Sequence, residues 1–309
     1  MKKIFIDGSA GTTGLRIHER LEARTDIEVT TLPEEARKDP QARKTAMNAS
    51  DIVFLCLPDD AATEAVTFID NPDTAVIDTS TAHRTAPGWV YGFPELSPET
   101  EEAIRTAKRI AVPGCHATGF LSLIYPLVEA GLIGKELALT CHSVTGYSGG
   151  GRKMIAQYEA ENRDALLAAP RQYGLAQHHK HLAEMKAIAG LEKEPIFCPI
   201  VADFYSGMET TVPLFKEYLK YGGAEEIRDV YRKKYAGPVV CYAEGPDEDG
   251  FLSAGALCGR DLLEVSVFGN DERILLVSRF DNLGKGASGA AVECMNLLLG
   301  ADKKTGLVL

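Results

Sequence analysis

Cys115 lies in Val112-Pro-Gly-Cys-His-Ala-Thr-Gly119, between a β-prone run at Arg109 to Val112 and an apolar helical run from Phe120 to Val128. That arrangement puts a thiol in the first turn of a helix, where the partial positive charge and unpaired backbone N–H groups favour the thiolate. The same N–H groups suit the oxyanion of a tetrahedral adduct, so the chemistry expected is nucleophilic catalysis. Cys56, inside an apolar strand-like run, and Cys294, on a terminal helical pattern, read instead as small buried hydrophobes. A nucleophilic thiol needs a proton carrier, and His179 and His181 flank Lys180 in a segment that offers two imidazoles. Residues two apart share a side in extended chain; with a helix beginning near His181, Glu184 falls at i+3 and orients that ring. His181 is therefore the expected proton carrier and His179 a phosphate or substrate contact.

A second constellation stands at the other end of the chain. Gly8-Ser9-Ala-Gly11-Thr12-Thr13-Gly14 follows a short apolar run (Lys3 to Asp7) and precedes helical spacing from Leu15 to Ala23. Glycines at these positions permit a tight strand-to-helix turn and close approach of backbone to a pyrophosphate at the helix start. Glu34 and Glu35 after the next strand suit a ribose hydroxyl, whereas Arg37 and Lys38 suit a 2′-phosphate, and both options stand. Arg84 offers a bidentate fork for a carboxylate or phosphate. Ser148, Arg152 and Lys153 accompany a glycine-rich loop suited to an anion. The clustered histidines lack an acidic or thiolate partner at zinc spacing, so no metal is expected.

These groups must be held by two kinds of sheet. Apolar runs at 3–7, 28–32, 51–57, 75–78 and 109–112 alternate with helical patterns at 15–23, 61–69 and 98–108, as in a Rossmann-type, doubly wound parallel sheet of the α/β class. After about residue 137 the strands (137–145, 196–201, 210–214, 239–242, 263–269, 273–281) have longer connections, and a hairpin turns at Gly269-Asn270-Asp271. This implies a second α+β domain with a mixed or antiparallel sheet. The expected boundaries are 1–116 for the dinucleotide-binding domain, completed by the C-terminal helix at 284–309, and 117–283 for the second domain.

Composition narrows the class further. A length of 309 residues suffices for two domains, and 45% hydrophobic with 25% charged residues is an ordinary globular balance. The net charge of −11, with scattered Lys and Arg, argues against a nucleic-acid footprint. The apolar start is too short for a signal or membrane span. Seven dispersed cysteines without a Cys-x-x-Cys pair point to a reduced, cytoplasmic enzyme.

Along nearly its whole length the chain resembles the N-acetyl-gamma-glutamyl-phosphate reductase family in its shorter form, within the aspartate-semialdehyde dehydrogenase-like superfamily. The segments that carry the likeness are Gly8 to Gly14, Asp78-Thr-Ser-Thr-Ala-His-Arg84, Tyr91-Gly-Phe-Pro-Glu-Leu96, Pro113 to Thr118, Gly146-Tyr-Ser-Gly-Gly-Gly-Arg-Lys153, His179-Lys-His181 and Asp281-Asn-Leu-Gly-Lys-Gly286. Two positions depart from the family: His116 stands where Tyr is common, and Ala183-Glu184 where Pro-Glu is usual. The resemblance implies NADPH-dependent reduction of an acyl phosphate through a Cys115 thioester, with NADP(H) as cofactor and Asn282, Gly284 and Lys285 near the nicotinamide. It also implies a homo-oligomer, dimer or tetramer, assembled through the second domain. The nearest alternative is a related acyl-phosphate reductase such as aspartate-semialdehyde dehydrogenase; a different class is a non-catalytic NAD(P)-binding regulator.

Overall fold

The computed structural model describes residues Met1–Leu309 as two compact units, Met1–Gly114 with Ala287–Leu307 and Cys115–Gly286 with Val308–Leu309. In the first, β1 (Lys2–Asp7), α1 (Thr12–Glu22), β2 (Ile27–Thr30), α2 (Pro40–Asn48), β3 (Ile52–Leu55), α3 (Asp59–Val66) and β4 (Ala75–Asp78) alternate. They are followed by β5 (Val90–Tyr91), α4 (Pro98–Thr106) and β6 (Arg109–Ala111). The sheet order is β2-β1-β3-β4-β6-β5, and every pairing is parallel. Both faces are covered, which is why these strands read as unbroken apolar runs. Ile4, Ile6, Phe54 and Ile77 pack with Ile17 and Leu21 of α1 on one face, while Phe5, Val53, Leu55 and Val76 pack with Met47, Ala62 and Ala65 on the other. The doubly wound parallel sheet expected from the alternation is the one observed.

Two elements here escape the apolar pattern. The helix α2 carries only Arg43 and Met47 as buried residues, and it starts on a local signal, Asp39 accepting from the Gln41 N–H with Pro40 at the first helical position. The strand β5 has two residues, too few to show a period.

The second unit runs α5 (Cys115–Glu129), β7 (Thr140–Gly146), α6 (Gly151–Tyr158), β8 (Arg171–Gln172), α7 (Lys180–Ala189), β9 (Ile196–Ala202) and β10 (Met208–Phe215). It continues with α8 (Ala224–Lys234), β11 (Val240–Tyr242), β12 (Leu263–Gly269) and β13 (Arg273–Phe280). Its seven strands lie in the order β11-β12-β13-β10-β7-β9-β8. Antiparallel pairs dominate, with β7–β9 and β11–β12 parallel, which makes the sheet mixed as expected. The chain then returns to the first unit through α9 (Gly289–Leu298), whose Ala291 and Met295 join the core beside α1.

The helix α5 holds Cys115 at its first position and is buried from His116 to Ile124 without a break. Pro126 lies inside it and removes the N–H that would serve the Ser122 carbonyl. The chain supplies a substitute: the Tyr235 hydroxyl, just beyond α8, donates to Ser122 O at 2.8 Å, and Tyr231 of α8 donates to Leu123 O at 2.6 Å. Both tyrosines are buried, so these bonds stand in a medium where an unmet carbonyl is costly. Tyr235→Phe is expected to destabilise the protein by about 1–3 kcal/mol in urea unfolding. In the Pro126→Ala background, where a helical N–H returns to Ser122 O, the same change should cost clearly less; equal costs would refute the compensation.

Candidate active site

Cys115 enters α5 directly from Pro113-Gly114, and nothing bulky is tolerated behind it. A Cβ added at Gly286 would stand 2.9 Å from Cys115 Cβ, so a glycine is what lets the 281–286 turn approach Cys115. That turn is held by Asp281, whose carboxylate accepts from the Leu283 N–H at 2.7 Å and the Ser206 hydroxyl at 3.1 Å. The buried carboxylate therefore shapes a turn and is not placed as an acid or base.

A cavity of about 250 Å³ opens on Cys115 and is lined by His116, Tyr173, His179, Lys180 and His181 among others. The three imidazoles cluster: His179 and His181 lie 4.7 Å apart between ring centroids, and His116 lies 5.9 Å and 5.5 Å from them. The helix α7 starts at Lys180, one residue before the expected position. His179 is its N-cap, with Nδ1 accepting from the His181 N–H at 3.2 Å. One ring nitrogen of His179 thus has a structural task, while His181 and Glu184, both buried, sit in the first turns of α7.

Sequence reasoning overlooked His116 and Tyr173. His116 Nε2 is 2.7 Å from Tyr173 Oη and its Nδ1 is 2.7 Å from Ser143 Oγ. Burial, reinforced by the nearby His179, pushes the His116 imidazole down to about 3, so it is neutral at working pH. Burial also raises the Tyr173 phenol, and the proximity of Cys115 adds to the shift, so it keeps its proton. The sole sequence signal for this pair was the departure at position 116 itself.

Other expected site residues fall differently. Ser148 is buried and its Oγ accepts from Asn282 Nδ2 at 3.0 Å, while Asn282 Oδ1 accepts from the Gly207 N–H at 2.9 Å. These two side chains tie loops together. Arg152 and Lys153 are exposed in the first turn of α6, a helix where a glycine loop was expected, whereas Gly149, Gly150 and Met154 line the cavity. Lys285 is buried in a short wide turn, Gly284–Ser288, and a Cβ at Gly284 would meet Arg260 O at 2.1 Å. In the first unit, Arg84 is buried and donates to the Val112 and Thr79 carbonyls at 2.9 and 3.3 Å, so much of its fork fastens strand ends. Its neighbours in the same motif form a buried polar turn: Asp78 accepts from Ser80 Oγ and faces His83 Nδ1 at 2.6 Å, and His83 stacks on Trp89.

The glycine turn of the first unit fits a dinucleotide. Gly8 has φ +84°, and a Cβ there would lie 2.3 Å from Cys56 O; a Cβ at Gly14 would lie 2.4 Å from Gly8 O. Between them the Gly11 N–H closes the turn on Gly8 O at 2.9 Å, followed by Thr12 and Thr13 as the first residues of α1. No side chain caps α1 and its first turn holds no acid, which leaves its N-terminal N–H groups suited to a phosphate. Asp7, at the end of β1, is buried against Arg43 at 2.9 Å and does not belong to this surface; burial raises its carboxyl and Arg43 opposes the rise. Arg37 is half-exposed and paired with exposed Glu34 at 2.8 Å, with Lys38 exposed beside it.

A parallel dinucleotide-type sheet followed by a mixed sheet whose leading helix begins on a cavity-lining cysteine is the arrangement of the semialdehyde dehydrogenase class. Residues 115–282 match the family "Semialdehyde dehydrogenase, dimerisation domain" and residues 34–104 the family "Semialdehyde dehydrogenase, NAD binding domain". The N-acetyl-gamma-glutamyl-phosphate reductase 2 of Nostoc sp. is 44% identical over 99% of each chain, and that of Pseudomonas putida is 45% identical over 96% of this chain and 97% of its own. The chain belongs to the N-acetyl-gamma-glutamyl-phosphate reductase family. Its fold is shared with aspartate semialdehyde dehydrogenase II of Vibrio cholerae (TM-score 0.74, 17% identity, 97% and 98% of the two chains). It is shared also with the NADP-bound enzyme of Candida albicans (TM-score 0.68, 16% identity, 99% of each).

Proposed function

We propose that the chain catalyses the NADPH-dependent reduction of N-acetyl-L-glutamyl 5-phosphate to N-acetyl-L-glutamate 5-semialdehyde and phosphate, a step of arginine biosynthesis. The observation that carries this reading is Cys115 at the first position of a buried helix, opening on a cavity with three imidazoles and a phenol. Cys115 thiolate attacks the acyl carbon, the C–O bond to phosphate breaks, and a thioester remains on Sγ. NADPH, when bound, would supply the hydride that reduces the thioester. Protonated His181 gives its proton to the resulting thiohemiacetal oxygen and takes it back as the C–S bond breaks, releasing aldehyde and restoring the thiolate. His179 and Lys180 provide positive or hydrogen-bonding contacts to the anionic substrate. The glycine turn at Gly8 to Gly14 holds the pyrophosphate, and Arg37 with Lys38 holds the 2′-phosphate that distinguishes NADPH from NADH. The unit that begins at Met1 is the nucleotide domain, and the unit that begins at Cys115 is the catalytic and oligomerisation domain. All seven cysteines are free thiols, which suits a cytoplasmic location.

One face of the mixed sheet supports self-association. Ser278 and Thr210 point to the α5 side, where the Ser278 hydroxyl donates to Gly119 O. The alternate residues Phe215, Leu275 and Ile196 lie on the opposite face and are exposed. We assign this face, with its exposed Phe215, Leu275 and Ile196, to a second copy of the chain.

The reverse reaction tests the activity directly: N-acetyl-glutamate semialdehyde with phosphate should drive NADP⁺ reduction, and Cys115→Ser should abolish it while leaving NADP⁺ affinity nearly intact. A clear preference for aspartate semialdehyde would sink the substrate assignment. Arg37→Ala with Lys38→Ala should raise KM for NADP⁺ about 10-fold or more and leave KM for NAD⁺ near its starting value, as loss of charge-assisted phosphate contacts predicts. For the assembly, Leu275→Arg should shift sedimentation of the full chain toward monomer; an unchanged oligomer would remove that face from the interface.

A further inference from the structure

Behind Cys115 runs a line of four polar side chains, each bonded to the next: Thr210, Ser143, His116 and Tyr173. Ser143 Oγ lies 3.1 Å from Thr210 Oγ1 and 2.7 Å from His116 Nδ1, and His116 Nε2 lies 2.7 Å from Tyr173 Oη. Thr210 and Ser143 are completely buried and His116 nearly so, which forbids solvent from meeting any unmatched donor along the line. The donors of Thr210, Ser143 and His116 must therefore be met by protein acceptors, and the side-chain acceptors beside them are the next members of the line.

That requirement fixes its direction. The Thr210 hydroxyl, packed against Gly119 so closely that a Cβ there would lie 2.3 Å from Oγ1, has Ser143 Oγ as its side-chain acceptor. Thr210 O–H accordingly donates to Ser143. The Ser143 hydroxyl proton then has His116 Nδ1 as its acceptor, which makes Nδ1 the bare nitrogen. A neutral imidazole carries one N–H, so it resides on Nε2 and donates to Tyr173 Oη. The reversed order would strand a Thr210 proton in the core and consume the phenol proton on His116. In the favoured order the phenol proton is not used by the line at all. Tyr173 and Cys115 line the same cavity, together with His179, Lys180 and His181.

We propose that Thr210, Ser143 and His116 form a one-way hydrogen-bond chain that reserves the Tyr173 hydroxyl proton for the reacting centre, where it is donated first to the Cys115 thiolate and then to the oxygen of the Cys115-bound acyl group. Tyr173 is thereby a catalytic hydrogen-bond donor, and His116 a positioning residue that sets the orientation of the phenol. No proton changes owner in this role: the phenol O–H stays intact, and the negative charge that develops on the acyl oxygen during thiolate attack and hydride arrival is met by a donor already in place. The identity of the oxygen rests on the acyl-phosphate reading above; the direction of the chain does not.

Two measurements test it. Histidine ¹⁵N NMR of the full-length protein, assigned with a His116→Gln variant, should show His116 as the neutral tautomer protonated on Nε2 at neutral pH. A proton on Nδ1, or an imidazolium, would overturn the proposal without any substrate being used. Tyr173→Phe should raise the midpoint of the pH–rate profile for Cys115 alkylation by iodoacetamide by about 1 pH unit, the size of one lost hydrogen bond to an ionised group. It should also lower kcat about 100-fold with little change in KM, the pattern of a donor acting on the transition state. An unchanged alkylation profile together with an unchanged kcat would refute the donor role. If the wild-type protein turns over no N-acetyl-glutamyl phosphate, the proposed activity fails alone, since the tautomer and the alkylation profile still report on the chain.

Discussion

The structure turns on one constraint, that Cys115 must start a helix whose remainder is sealed in the core. Being first in α5 gives the thiol the open N–H groups of a helix start, and burial from His116 to Ile124 denies the helix any freedom to shift. Much else can be read as the consequence. Gly119 is a glycine because Thr210 presses against it, Gly286 because a Cβ would press on Cys115, and Tyr231 and Tyr235 reach across to carbonyls near the Pro126 break. Each of these contacts lies in the unit that begins at Cys115 itself. Cys115 is thus fixed by the packing of one helix on one sheet.

Burial divides the polar groups into two kinds with different duties. Asp281, Asn282 and Ser148 are buried and bonded chiefly to backbone or to each other, so they define loop shape and offer little to a ligand. His116 and Tyr173 are also largely buried, yet both line the cavity, and their low and high titration respectively keep both neutral. Both groups therefore act on the cavity as dipoles and not as charges. A line of neutral dipoles supports charge development while adding no net charge of its own.

The sequence made the parallel sheet legible because strands covered on both faces are apolar throughout, and β4 and β12 matched residue for residue. The helix α2 was not legible by periodicity, having two buried residues in nine; its Asp39-Pro40 cap was the signal to follow. The helix α8 was missed for a related reason: eight of its eleven positions are not buried, and its stabilising bond from the Gly223 N–H to Glu226 is local. The glycines at 149–151 concealed the start of α6, since residues that favour loops also serve as helix entries when a positive φ is needed, as at Gly151 with +69°.

The candidate site divides along the same line. The placement of Cys115 and of the glycine turn was legible because each depends on one local element, a helix start in each case. His116 and Tyr173 stand 57 residues apart and meet only because β7 places Ser143 under the first and the β8 edge delivers the second. Arg84 shows the other side: a guanidinium is a good anion fork anywhere on a chain, and only the fold shows its bonds to the Val112 and Thr79 carbonyls. Residue type announces what a group is able to do, and long-range pairing decides whether the core has already claimed it. A cysteine placed by local geometry is therefore readable from sequence, whereas the hydrogen-bonded side chains around its cavity emerge only when the sheet is assembled.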